Sequence, residues 1–135
     1  MKLLITGASG FLGRRAADYF QSLGWGVLAP THAEFDITDR DAVLRWMWEN
    51  KPMAVLHCAA VSDTGACQRE PERTEKINVH GSVNLAAACA MIGAKFIFCS
   101  SDQIYSGSML PGPQFCIMNP EFKKKYIKYL QDFIR

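Results

Sequence analysis

Three glycines, Gly7, Gly10 and Gly13, recur at a spacing of three, directly after the apolar run Leu3-Leu4-Ile5 and across the start of a helical pattern near Phe11. Glycine has no Cβ and reaches positive φ, so a chain with this spacing turns sharply and lets a ligand approach its backbone. The helix start that follows leaves N–H groups unpaired and carries partial positive charge. A pyrophosphate is bound in such a place without any basic side chain. The spacing is G-x-x-G-x-x-G rather than G-x-G-x-x-G, but its position between strand and helix is the one a dinucleotide site requires. The plainer alternative is an ordinary glycine-rich turn.

Further candidates for chemistry fall at the ends of other apolar runs. After Trp25–Ala29 comes Pro30-Thr31-His32, with no carboxylate at the tip to take a ribose 2′-hydroxyl. His32, with Arg14 or Arg15, is suited to a 2′-phosphate, which favours NADP over NAD; a solvated loop residue is the other reading of His32. Asp36-Ile37 offers a carboxylate to accept from an adenine amine and an aliphatic group to cover the ring, although Asp36 equally fits a plain turn. In His57-Cys58-Ala59-Ala60-Val61 the small alanines let a ligand pass close to the backbone, and His57 reads as a packed strand residue rather than a base. Asn78 sits in the middle of a helical pattern, where asparagine is mildly unfavourable, so a hydrogen-bonding task is implied. Ser100-Ser101-Asp102 follows the last apolar run and puts hydroxyls where a nicotinamide and a substrate carbonyl would meet.

The elements that must position these residues alternate in type. Leu3–Ile5, Trp25–Ala29, Ala54–Cys58 and Lys95–Cys99 read as strands. Phe11, Leu12, Ala16, Tyr19, Phe20 and Leu23 give a first helix that stops at Gly24. Asp39 is a natural N-cap for a second helix, Asp41 to Asn50, with Val43, Leu44, Met47 and Trp48 on its buried face. Ser62 to Glu70 reads as a polar loop, and Pro71 opens one long helix that runs to about Ile92 and ends at Gly93. The βαβαβαβ order predicts an α/β fold, a doubly wound parallel sheet with right-handed crossovers and the ligand at the carboxyl ends of its strands.

At 135 residues the chain fits one domain, and 49% hydrophobic with 21% charged residues is ordinary for a globular protein. A net charge of +2 gives no bulk attraction for nucleic acid. The start Met1-Lys2 leads into a strand-length run rather than a secretory h-region, and no apolar stretch reaches membrane-spanning length. The five cysteines are odd in number and lack C-x-x-C, so reduced core thiols, no metal site and a cytoplasmic location are expected. From Asn119 a basic amphipathic helix is predicted, its stripe of Phe122, Tyr126, Tyr129, Leu130 and Phe133 packing on the sheet rather than on a membrane.

Taken together, T-G-A-S-G-F-L-G, E-F-D-I-T-D, H-C-A-A, N-V-H-G-S-V-N-L and S-S-D-Q-I-Y-S-G resemble the extended short-chain dehydrogenase/reductase family over about residues 1–107. Within it, the resemblance is to the dTDP-4-dehydrorhamnose reductase branch, which also includes a regulatory subunit of methionine adenosyltransferase. It implies a Rossmann-like NAD(P)-binding domain over 1–107, a nucleotide-sugar substrate and, in active members, hydride transfer to a 4-keto sugar. By the same resemblance Gly7, Gly10, Phe11, Leu12 and Gly13 hold the pyrophosphate, Asp36 and Ile37 flank the adenine, Ala59, Ala60 and Val61 line the path to the nicotinamide, and Ser101 is the catalytic hydroxyl.

The chain departs from that pattern in its last part. Active members use a Tyr with a Lys four residues later, which places phenol and ammonium on one helix face. Here Tyr105 is followed four on by Met109, Tyr126 by Leu130 and Tyr129 by Phe133. Tyr126 lies about as far beyond Ser101 as the family's tyrosine does, but a packed tyrosine is the better reading. The sheet is expected to stop after about four strands, with 108–135 as a loop and tail helix that match nothing in the family. The expectation is a chain that binds NADP or NAD and is catalytically weak. The alternative is a non-catalytic dinucleotide-binding regulatory or interaction module that works in a homo-oligomer or with a larger enzyme.

Overall fold

A computed structural model describes residues 1–100, of which Met1–Cys99 form one compact unit. Ser101, Tyr126, the predicted tail helix and the 107/108 boundary lie outside the described residues. Four parallel strands, β1 (Lys2–Thr6), β2 (Gly26–Leu28), β3 (Ala54–His57) and β4 (Lys95–Phe98), form one sheet in the order β2-β1-β3-β4. In register, Leu4 faces Leu28 on one side and Val55 on the other, and Val55 faces Phe96. The chain therefore winds outward from β1 in one direction to β2 and in the other through β3 to β4. The reversal falls between β1 and β3, the crevice where ligands bind in open α/β sheets.

Residue alternation along the strands divides the core between two faces. Leu3 and Ile5 pack with Ala54 and with Ala17 of helix α1 (Phe11–Ser22) on one face. Leu4 and Val55 pack on the other against Val43 and Met47 of α2 (Arg40–Asn50) and Leu85, Ala88 and Cys89 of α5 (Ser82–Ile92). Helices on both faces are what the near-continuous apolar strands demand, since β1 is fully buried after Lys2. Each such Leu, Ile or Val side chain contributes roughly 1.5–3 kcal/mol by leaving water.

Local signals fix the helix ends. The Asp39 carboxylate accepts from Ala42 N–H at 3.0 Å to start α2, and Lys51 in the left-handed region at φ 47° ends it. Gly93 at φ 71° ends α5. The predicted second strand is shorter than Trp25–Ala29 because Trp25 N–H donates to Phe20 O at 3.1 Å, which makes it part of the exit turn of α1.

Three expectations are corrected. Ser62–Glu70 is not all loop: Asp63 accepts from Ala66 N–H at 2.6 Å and starts a short helix, α3 (Thr64–Arg69). The long helix is not uniform. It runs as α4 (Pro71–Glu75), a π-helical turn over Lys76–Gly81, and α5. Several apolar positions of the helical patterns are exposed rather than packed: Phe11, Leu12 and Tyr19 on α1, Leu23 just past its end, Trp48 on α2 and Met91 on α5. The Arg15 guanidinium lies 5.5 Å from the centre of the Phe11 ring and the Lys51 ammonium 5.9 Å from that of Trp48, cation–π contacts that leave both rings largely exposed. Of the described cysteines, Cys89 is a core thiol, whereas Cys58, Cys67 and Cys99 are half-buried. No described helix is long and apolar enough to cross a membrane.

Candidate functional site

A cavity of about 410 Å³ opens at the carboxyl ends of β1 and β3. Its floor on the β1 side is the glycine turn. Gly7 sits at φ 69°, where a Cβ would lie 2.7 Å from Ala59 N and 2.8 Å from Ala59 Cα and Cys58 C. The conformation and the close approach to β3 both demand glycine there. A Cβ on Gly13 would lie 2.3 Å from Gly7 O, so Gly13 lets α1 pack onto the turn. Gly10 differs. Its φ of −78° is open to any residue, and a Cβ would meet only Gly7 O at 3.2 Å. Gly10 N–H closes the turn onto Gly7 O at 3.0 Å, and no side chain caps the start of α1. Gly10 thus faces the cavity with the first-turn N–H groups of α1 behind it.

The opposite wall is the β3 exit, Cys58-Ala59-Ala60-Val61. It is held by side chains. Ser82 Oγ donates to Asn78 O at 2.7 Å, which leaves it to accept from His57 Nε2–H at 2.9 Å. That fixes the tautomer, so Thr6 Oγ1 donates to His57 Nδ1 at 2.6 Å and accepts from Ala59 N–H at a long 3.4 Å. Burial pushes His57 down to about 4, and the ring stays neutral. His57 is the packed strand residue expected of it, but it also ties β1 to α5. Asn78 clamps Val61 on both sides, with Val61 N–H donating to Oδ1 at 2.8 Å and Nδ2 donating to Val61 O at 2.9 Å. The π-helical turn puts Asn78 and Ser82 in reach together. Gly81 makes room for Ile37, whose Cδ1 would lie 2.7 Å from a Cβ there.

The remaining wall comes from the β2 exit and the segment after it. Pro30, Thr31 and His32 line it, followed by Phe35, Ile37 and Thr38. Thr31 N–H and Oγ1 both donate to the Glu34 carboxylate at 2.8 Å, and these bonds hold Glu34 below the usual carboxylate range. Asp36, half-buried, lies between the lining residues Phe35 and Ile37. Burial works against its charged form, but Thr38 N–H and Oγ1, at 2.9 and 2.8 Å, with His32 and Lys76 nearby, hold its carboxyl below the ordinary value. Asp36 thus makes a local turn through its Oδ1, and Ile37 beside it lines the cavity.

Gly7, Gly10, His32, Ile37, Cys58, Ala59, Ala60 and Val61 are thus brought together around one cavity. Gly13 and Asn78 act one step behind it. Phe11 lines a neighbouring shallow cleft with Ser9, Arg14 and Arg15, Leu12 lies on neither wall, and Ser100 is exposed. Residue types alone did not single out Arg73 and Ile77, which line the cavity from the far side. Arg73 sits in a polar helix start paired with Glu70 at 2.8 Å, and nothing in its spacing marks it. The Thr6–His57–Ser82 chain was also missed, although a histidine inside an apolar strand run is the available signal for such a buried partner.

A parallel sheet with helices on both faces and a glycine turn at its switch point defines a Rossmann-like α/β domain. Residues 1–121 match the family described as the RmlD substrate binding domain, and the chain belongs to that family; the match runs past residue 107, which corrects the expectation that 108–135 match nothing in it. The dTDP-4-dehydrorhamnose reductase of Mycolicibacterium smegmatis is 40% identical over 104 residues, covering 77% of this chain and 31% of the relative. Methionine adenosyltransferase 2 subunit beta of Bos taurus is 32% identical over 126 residues, covering 88% and 38%. A dTDP-4-dehydrorhamnose reductase structure from Clostridium acetobutylicum superposes with a TM-score of 0.83 at 33% identity, over 99% of this chain and 49% of that one. The chain thus spans about a third of the length of these curated relatives.

Proposed function

We propose that this chain forms the dinucleotide-binding part of a reductase for a nucleotide-linked 4-keto sugar, with residues 1–107 as the NAD(P)-binding unit. The observation that carries the reading is Gly10. Backbone conformation does not require glycine there and internal packing barely does, yet the residue faces a cavity at the switch point. A ligand passing close to the Gly10 backbone supplies a reason for glycine that the N-cap position, equally open to Ser, Thr, Asp or Asn, does not. The cavity walls fit a dinucleotide along their length. The turn and the α1 start suit a pyrophosphate, Phe35, Ile37 and Ile77 suit an adenine, and the small β3 exit suits the riboside path. A related structure from Bacillus anthracis, 23% identical, is a complex with NADP.

NADP is favoured over NAD. Thr31 and His32 line the β2 exit with Arg73 across the cavity, and the Glu34 carboxylate is already engaged by Thr31. When bound, the nicotinamide supplies a hydride. Ser101 is assigned the hydroxyl that orients the sugar carbonyl. No Tyr in these 135 residues has a Lys four positions later, so Tyr126 carries no proton-delivering pair and turnover by these residues alone is expected to be weak. That departure favours a second reading, a dinucleotide-binding regulatory or interaction module working in the cytoplasm in a homo-oligomer or beside a larger enzyme. A relative named as a subunit of an adenosyltransferase supports it.

Titration with NADPH and NADH, followed by nicotinamide fluorescence, tests the shared core of both readings. Saturable NADPH binding that Gly10→Val abolishes is the expected result, and absence of binding by either nucleotide would overturn it. Measurable reduction of a dTDP-4-keto sugar would then select the enzyme over the module.

A further inference from the structure

We propose that Cys58 and Cys99 are a site of reversible disulfide formation that loosens the dinucleotide cavity when oxidised. Their sulfurs lie 3.6 Å apart at the carboxyl ends of neighbouring strands. His57 and Phe98 are register partners in the β3–β4 ladder, so Cys58 and Cys99 are the next pair along it and share a face. The β3–β4 ladder continues to that point, since Cys99 N–H donates to His57 O at 3.1 Å, while Cys58 N–H donates across the other edge of β3 to Thr6 O of β1 at 3.2 Å. Both thiols are half-buried, so a small oxidant reaches them. The other described cysteines are engaged elsewhere: Cys67 Sγ donates to Val61 O at 3.4 Å, and Cys89 is buried in the core.

The pair has a built-in division of labour. Burial, with Cys99 beside it, pushes the Cys58 thiol up to about 12, so Cys58 stays protonated at neutral pH. Cys99 is then assigned the first attack on the oxidant. With hydrogen peroxide as oxidant, the Cys99 sulfur attacks and breaks the O–O bond and becomes a sulfenic acid, and its thiol proton leaves with the released hydroxide as water. The Cys58 sulfur then attacks the Cys99 sulfur, its proton joins the departing hydroxyl, and a second water leaves. Two thiols are oxidised and one peroxide is reduced. A dithiol such as dithiothreitol reverses the step by exchange.

The consequence for the cavity follows from how tightly β3 abuts the glycine turn. Cys58 C and Ala59 N lie where a Gly7 Cβ would be only 2.8 and 2.7 Å away, and Cys58 itself lines the cavity. A disulfide requires the sulfurs to close from 3.6 Å to bonding distance, which draws Cys58 toward β4 and away from Gly7. A closely packed contact transmits such a shift rather than absorbing it.

The gating half of this proposal rests on the dinucleotide reading; the bond itself does not. The test treats the full chain with hydrogen peroxide, maps disulfides by mass spectrometry of its peptides, and titrates NADPH before oxidation, after it, and after dithiothreitol. The expected result is a Cys58–Cys99 linked peptide, an NADPH Kd raised about tenfold and restored by reduction, and neither effect in Cys99→Ser or Cys58→Ser. An oxidised chain with no Cys58–Cys99 peptide overturns the site. A linked chain that binds NADPH as the reduced one does overturns the gating. A reduced chain that fails to bind NADPH removes the dinucleotide reading and the gating with it, while the peptide map still decides the bond.

Discussion

The two long walls of the cavity are made by opposite means. On the β1 side, the wall rests on what is missing: Gly7 and Gly13 lack the side chains that would collide with Ala59 and with Gly7 O, so backbone and helix start come close, and in the proposed reading Gly10 leaves room for a ligand. On the β3 side it rests on what has been added. A buried chain of Thr6, His57 and Ser82, and the clamp of Asn78 on Val61, hold a loop that has no strand partner of its own. Backbone packing tolerates almost no added volume, whereas a polar chain tolerates change in proportion to the partners left unpaired. The two walls should therefore fail differently.

The largest effect is expected at Gly13. Its Ala substitution forces a carbon to within 2.3 Å of Gly7 O, a backbone atom that cannot swing aside. Gly13→Ala should cost about 3 kcal/mol or more of stability in urea unfolding. A loss below about 1 kcal/mol would mean that α1 is free to lift from the turn, and the contrast between the walls would weaken.

The β3 wall should show itself in pH dependence. His57 titrates at about 4 when folded against 6.5 when free. Between those values the unfolded chain binds a proton that the folded chain does not, so stability rises with pH through this window. It is fully present above about pH 6.5 and falls by about 3 kcal/mol as pH drops to about 4. Unfolding of wild type and His57→Gln, compared from pH 4 to 7, isolates this contribution, because Gln cannot titrate. Equal slopes in the two proteins would remove the buried neutral histidine from the account. A smaller change is expected at Asn78. Asn78→Ala removes two hydrogen bonds to Val61 and should cost about 1–2 kcal/mol, with NADPH binding weakened and the fold kept.

The same contrast decides what was legible in the sequence. The glycine wall is written in residue type and spacing, because only glycine meets those backbone demands, and the apolar runs around it reveal the parallel sheet. Asn78 signals a task by being out of place in a helix, but not whom it binds. The partner, Val61, is fixed only when the π-helical turn brings the two segments together. Asp36 reads by position either as an adenine contact or as a plain turn residue, and Thr38, two residues on, holds its Oδ1. Short-range side-chain bonds of this kind compete with a ligand, and one chain alone does not reveal the winner. Phe11, Leu12 and Tyr19 have helical spacing but lie on the solvent side, since Gly13 and Ala17 supply the face that meets the sheet.

Gly10 gives the smallest expected effect on folding and the most direct probe of the comparison. Three contributions act on Gly10→Ala. Alanine narrows the unfolded ensemble and stabilises by roughly 0.4–1 kcal/mol. It is a poorer N-cap than glycine, which costs a comparable amount. Its Cβ would also press on Gly7 O at 3.2 Å, a contact relieved by a shift of a few tenths of an ångström. These nearly cancel, so urea unfolding should change by less than about 1 kcal/mol. In the proposed reading the Cβ intrudes on the pyrophosphate, so NADPH binding should weaken about tenfold or more. Stability kept and binding lost would separate Gly10, which serves the ligand, from Gly7 and Gly13, which serve the fold. Stability and binding lost together would make all three glycines structural, and the glycine wall would then be a tight turn before it is a binding site.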